Sequence, residues 1–237
     1  MTQALIPTTL MALLALAACG DSAGSGIGPP SPGGFGQASL TPDCGAFNQA
    51  CLATGLDTPL AVGTQLGLGI SLEIPGNSAL PTTLRSSNPQ VLGISLGVAT
   101  SLREGVSAIL VSGPNEEVLD FIHVWSVPAN TLRIVSYTEN GVPLGPARDM
   151  GSLLPGDELL VAVEALADSQ PLIGQFQSEW TIEVLDDPGI AEDGPIVSIL
   201  DDVVFGLYRL VARRPGTVRL RSTALNTSTE LELEVLP

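Results

Sequence analysis

Between residues 66 and 74 the chain alternates without a break. Leu66, Leu68, Ile70, Leu72 and Ile74 are apolar, while Gly67, Gly69, Ser71 and Glu73 are small or polar. Successive side chains of a strand point to opposite faces, so this pattern lays one apolar face against a core. Shorter strand-like runs recur at 91–96, 108–111, 118–127, 131–137, 158–166, 179–185, 196–200, 203–212, 217–223 and 230–236. Turn-forming clusters separate them: Pro75-Gly76-Asn77, Gly113-Pro114-Asn115, Asn140-Gly141, Pro155-Gly156, Asp187-Pro188-Gly189 and Pro215-Gly216. Many short strands with regular punctuation predict an all-β sandwich. No stretch beyond the N-terminal segment keeps a helical period.

The chain also repeats itself. Val62-Gly63-Thr64-Gln65-Leu66 aligns with Pro155-Gly156-Asp157-Glu158-Leu159 at an offset of 93. Asn88-Pro89-Gln90-Val91-Leu92 aligns with Asp187-Pro188-Gly189-Ile190-Ala191 at 99, and Arg103-Glu104-Gly105 through Ile109 with Arg214-Pro215-Gly216 through Leu220 at 111. The order is kept while the offset grows, as loop insertions in a second copy would produce.

A Gly-x-x-Leu strand, an Asn/Asp-Pro-x-Val/Ile turn and a Gly-x-x-x-Ile/Leu strand resemble bacterial Ig-like domains of the intimin and invasin type. Trp180 stands where that family often carries a strand-C Trp, and Leu84 takes the comparable place in the first copy. The resemblance covers about three quarters of the chain. It implies two tandem Ig-like β-sandwich domains used as spacer or display modules at a cell surface, and it brings no catalytic residues.

The N-terminal segment gives an address. Residues 5–18 form a mostly apolar stretch ending in Leu16-Ala17-Ala18-Cys19-Gly20. At 14 residues it is too short to span a bilayer, which takes about 20, and it has the length of a signal-peptide apolar region. Leu-Ala-Ala-Cys resembles the lipobox of bacterial lipoproteins, although Met1 to Leu5 contain no Lys or Arg. The resemblance implies cleavage before Cys19, acylation of its thiol and of the new amino terminus, and, with Gly20 following, delivery to the outer membrane or cell surface. More than one acyl chain makes such anchoring stable.

Residues 20–39 are rich in Gly, Ser and Pro and read as a flexible tether. With Cys19 acylated, Cys44 and Cys51 remain as an even pair, and an oxidising compartment favours a disulfide between them. The expected layout is a signal peptide at 1–18, a tether at 19–40, a stapled lead-in at 41–55, and sandwiches at 56–128 and 129–237.

Lys is absent, and nine Arg face 25 acidic residues for a net charge of −16, which disfavours nucleic acid and anionic surfaces. His123 is the sole histidine and lies between Phe121 and Trp125 on an alternating run. If it shares their face, it is expected in the core or in a groove. No Gly-x-Ser-x-Gly elbow is present, and Ser-x-x-Lys is impossible without Lys. The expectation is a non-enzyme that uses no cofactor.

Three acidic pairs, Asp186-Asp187, Glu192-Asp193 and Asp201-Asp202, could offer oxygen ligands to Ca²⁺. Residues 129–237 hold 17 acidic groups against seven Arg, so a solvated acidic surface explains the pairs equally well. Arg219 and Arg221 share a strand face, and the matching period of Glu230, Glu232 and Glu234 makes them cross-strand partners or, with Trp180, a glycan site. Two functions follow as expectations: a structural, display or adhesion-type module of the envelope, or a lipoprotein that binds an envelope glycan. The expected partners are the membrane, through the lipid anchor, and an envelope protein or glycan.

Overall fold

The computed structural model describes residues 26–45, 48–73, 80–138, 142–188, 194–201 and 206–237. The signal peptide, Cys19, Glu192, Asp193 and Asp202 lie outside the described residues. The first half contains β1 (Ser31–Pro32), β2 (Ala38–Asp43), α1 (Gln49–Thr54), β3 (Leu60–Ala61), β4 (Gln65–Leu72), β5 (Thr83–Ser86), β6 (Leu92–Ser95), β7 (Val98–Ser101), β8 (Gly105–Ser112) and β9 (Val118–Val127). The second contains β10 (Thr131–Tyr137), β11 (Pro143–Pro146), β12 (Glu158–Ala167), β13 (Gln170–Pro171), β14 (Glu179–Asp186), β15 (Val197–Asp201), β16 (Leu207–Ala212), β17 (Gly216–Ala224) and β18 (Thr227–Val235). No helix among the described residues is long and apolar enough to cross a membrane.

The strands form two β-sandwiches. In the first, a sheet ordered β1-β2-β4-β7-β6 faces one ordered β3-β9-β8-β5; in the second, β11-β10-β12-β16-β15 faces β14-β17-β18. With strands lettered A to G in chain order, β2-β4-β7-β6 and β10-β12-β16-β15 are both A-B-E-D. The facing sheets both carry C-F-G, the arrangement of an immunoglobulin sandwich. The alternation of the sequence supplies the cores. Leu40, Leu66, Leu92, Ile109, Val111 and Val124 fill the first, and Leu159, Val161, Leu210, Val218, Leu220 and Leu231 the second.

The repeat is visible residue by residue. Gln65 and Glu158, 93 apart, open strand B of their sandwiches, and Gly105 and Gly216, 111 apart, open strand F. Leu84 pairs with Val111 and Trp180 with Ser222, so the strand-C Leu and Trp are equivalent. One alignment changes. The Val91 carbonyl accepts the N–H groups of Leu102 and Arg103, and the Ile196 carbonyl accepts those of Arg213 and Arg214. Val91 therefore corresponds to Ile196 and not to Ile190, because the second copy carries a longer C–D connection.

The first sandwich also begins earlier than its composition suggests. The tether expected at 19–40 does not reach its far end, since β1 and β2 belong to the first sheet and Ala38 and Leu40 are buried in its core. The cause is Asp120 on β9, a fully buried carboxylate. Its Oδ1 accepts the N–H of Phe35 at 2.8 Å, and its Oδ2 accepts those of Gln37 and Ala38 at 2.7 and 2.8 Å. Burial alone would raise its pKa, but these bonds and one from Phe121 N–H outweigh it and hold the carboxyl below its ordinary value. A Cβ on Gly33 would stand 2.1 Å from the Asp120 carboxyl carbon, so only glycine lets the backbone come this close. Residues that cannot bury much apolar surface are thus ordered by one charged acceptor.

Candidate functional site at the junction of the sandwiches

The link between β13 and β14 leaves the second sandwich and pairs with the first. Ile173 N–H donates to the Pro59 carbonyl, Ala61 N–H donates to the Ile173 carbonyl, and Gln65 and Gln175 exchange both backbone bonds. Ile173 has no exposed surface and packs within the core of the first sandwich, beside Leu60 and Leu66. Gly174, at φ +118, makes the crossing possible, because a Cβ there would lie 2.0 Å from Thr64 Oγ1. An apolar seam of Ala61 and Val127 against Leu132, Ala165, Leu172 and Leu225 completes the contact.

Beside this crossing lies a cavity of about 360 Å³. Its floor is the outer face of the β10–β12 pair, where Arg133 and Glu164 stand directly opposite one another. Arg133 Nε and Nη2 both donate to Glu164 Oε2, at 3.1 and 2.6 Å. The Glu164 side chain is only 18% exposed. Farther along this face, burial first and then the Glu164 charge push the Tyr137 hydroxyl pKa upward, against an opposing effect of Arg133. Leu172, Gln175 and Phe176 form one wall.

The adjoining wall is the stapled segment with Cys44, Asn48 and Gln49. Cys44 and Cys51 form the expected disulfide. Asn48 caps α1 by accepting the Cys51 N–H at 3.0 Å, and the Gln175 side-chain amide reaches the Asp43 carbonyl at 3.4 Å. The cavity thus combines one compensated ion pair, three carboxamides and an aromatic ring. No sequence motif marks it, because its lining comes from five separate stretches of the chain.

The ligand-binding residues expected from sequence, Trp180, Arg219 and Arg221, do not come together. Trp180 turns to the inner face of its sheet and meets Tyr208 edge-on at 5.2 Å, whereas Arg219 and Arg221 point from the outer face. Arg219 contacts Glu232 at 2.7 Å, Glu183 at 3.2 Å and Glu230 at 3.7 Å, and the Glu232 bond is the main cause of its raised pKa. Arg221 faces Glu230 and Ser228, so the cross-strand pairing is what forms.

Of the acidic pairs, Asp187 is clasped through both carboxylate oxygens by Arg214 at 2.7 Å. No group of three or more His, Cys, Asp or Glu side chains converges as a metal site would among the described residues. His123 corrects its expectation. It is exposed with Trp125 on the outer face of β9 and meets the half-buried Phe121 ring on that face edge-on at 5.3 Å, while Asp120, Ile122 and Val124 take the inner face.

No protein-family model matches the chain, and no curated protein matches it either. Among solved structures it is similar to domains 4 and 5 of the S-layer protein SbsC, at 16% identity over 84% of this chain and 98% of that one, with a TM-score of 0.31. It is also similar to the Yersinia pseudotuberculosis adhesin InvE, at 13% identity over 75% of this chain and 56% of that one, with a TM-score of 0.32. A tandem of titin Ig domains matches at 14% identity over 76% of this chain and 90% of that one, with a TM-score of 0.27.

Proposed function

We propose that this chain is a non-catalytic module of the cell envelope, anchored by lipid on Cys19 and serving a structural, display or adhesion-type role. The observation that carries the reading is the seating of Ile173 in the core of the other sandwich. Domains joined by small polar contacts move relative to one another, whereas a shared core suppresses that motion and suits a spacer or display stalk. The lipobox-like Leu16 to Cys19 and the disulfide fit an exported chain.

The test follows fatty-acid label and a C-terminal tag in cells making the wild type or Cys19→Ala. Label lost with Cys19→Ala, and a tag removed by protease from intact cells, are the expected results. Label retained in the variant refutes the anchor, and a tag protected until the outer membrane is opened refutes surface display. The junction cavity favours a second reading, in which the module also binds a glycan.

A further inference from the structure

Resting on that second reading, we propose that the junction cavity binds a neutral saccharide of mono- or disaccharide size, with Glu164 and Arg133 as its central polar contacts. Its volume of about 360 Å³ falls at the lower end of small-molecule pockets, roughly 300–1,000 Å³, which fits a sugar terminus or branch and excludes a buried polymer. Domain junctions are also where such pockets concentrate.

The polar groups select the ligand class. A sugar hydroxyl donates and accepts at once, so it pairs best where an acceptor and a donor stand side by side. Glu164 Oε2 takes both bonds from Arg133, and its Oε1 takes none from a described residue. Arg133 Nη1 likewise makes no bond to a described residue. Together they present an acceptor and a donor on one floor. The side chains of Asn48, Gln49 and Gln175 border the same space with further amide groups. Leu172 and Phe176 offer apolar surface to the C–H face of a sugar ring.

Charge narrows the class further. The ion pair cancels itself, so the floor holds no spare cation for an acidic ligand, and the net charge of −16 repels one. A cationic ligand would have to displace Arg133. Because the pairing already fixes both side chains and Glu164 is largely buried, little ordering cost remains for the ligand to meet.

The experiment uses the full-length chain in a detergent without a sugar headgroup. Saturation-transfer NMR and calorimetry are run with cellobiose, maltose and N,N′-diacetylchitobiose, with glucuronate and laurate as charged and apolar probes. At least one neutral disaccharide is expected to bind. Glu164→Gln and Gln175→Leu, on floor and wall, are each expected to weaken it about tenfold or more, with the fold intact by circular dichroism and the melting temperature unchanged in Gln175→Leu. Arg219→Ala with Arg221→Ala is expected to change nothing.

Failure of all three disaccharides to bind at about 10 mM overturns both this inference and the glycan reading, leaving the envelope role to the localisation test. Saccharide binding indifferent to both cavity variants keeps the glycan reading and overturns this site. Preference for laurate or glucuronate overturns the ligand class.

Discussion

Gly105 and Gly216 hold the same backbone conformation in the two sandwiches, at φ +144 and +142, each opening strand F against the residue that precedes strand D. Their surroundings differ in tightness. A Cβ on Gly105 would meet Val91 Cγ2 at 3.1 Å, whereas one on Gly216 would meet Ile196 Cδ1 at 2.6 Å and the Asp186 carbonyl at 2.8 Å. Both positions strain any other residue, but only the second also forces backbone to move. Gly105→Ala should cost about 1–2 kcal/mol and Gly216→Ala about 3 kcal/mol in urea unfolding. Equal costs would show that φ alone sets the penalty.

Asp120 should confer a distinct pH dependence. Its folded pKa lies below the unfolded value of about 3.9, so its stabilisation is complete above that pH and is lost as pH falls through the folded pKa. Asp120→Asn leaves the N–H groups of Gln37 or Phe35 facing an amide donor, at about 3 kcal/mol near neutral pH. Melting curves from pH 7 downward check this: the gap between wild type and variant should be widest above about pH 4 and should shrink progressively as pH falls below it.

The strands were legible because alternation is local. The run at 118–127 became β9 with those limits, and the glycines after Glu104 and Pro215 marked strand F in both copies. What was hidden depends on distant partners. Residues 35–38 look like linker by composition, yet the N–H groups of Phe35, Gln37 and Ala38 find their acceptor on Asp120, more than 80 residues away. His123 sits on an alternating run whose two faces look alike, since both carry large apolar residues. Which face is covered depends on the opposite sheet. Ile173 reads as part of the second sandwich by position, although its contacts are in the first.

Ile173→Ala removes a large buried side chain and should cost about 2–5 kcal/mol. The loss should fall on the first sandwich, which loses core volume, and on the coupling between the two. Calorimetry should therefore show one cooperative transition in the wild type and two in the variant. A single transition, uniformly lowered, would mean that the remaining seam suffices to couple them.

The Cys44–Cys51 bond closes a separation of seven residues, so its entropic contribution is about 2–3 kcal/mol. Replacing both by Ser should lower stability by that amount in non-reducing urea titrations. Because the stapled segment walls the junction cavity, the same variant should also lose affinity for a cavity ligand, with the rest of the fold intact by circular dichroism.

The seating of Ile173 bears on the order in which the molecule can assemble. A chain made from its N-terminus presents the strands of the first sandwich, through Val127, well before Ile173 emerges. Until then the earlier unit has an unfilled hole beside Leu60 and Leu66 and an unpaired backbone at Ala61 and Gln65. Part of what is synthesised first is therefore finished last. A chain interrupted before residue 173 would leave a product with an open core, marked for chaperones and proteases, so completion of the second half acts as a checkpoint on the first.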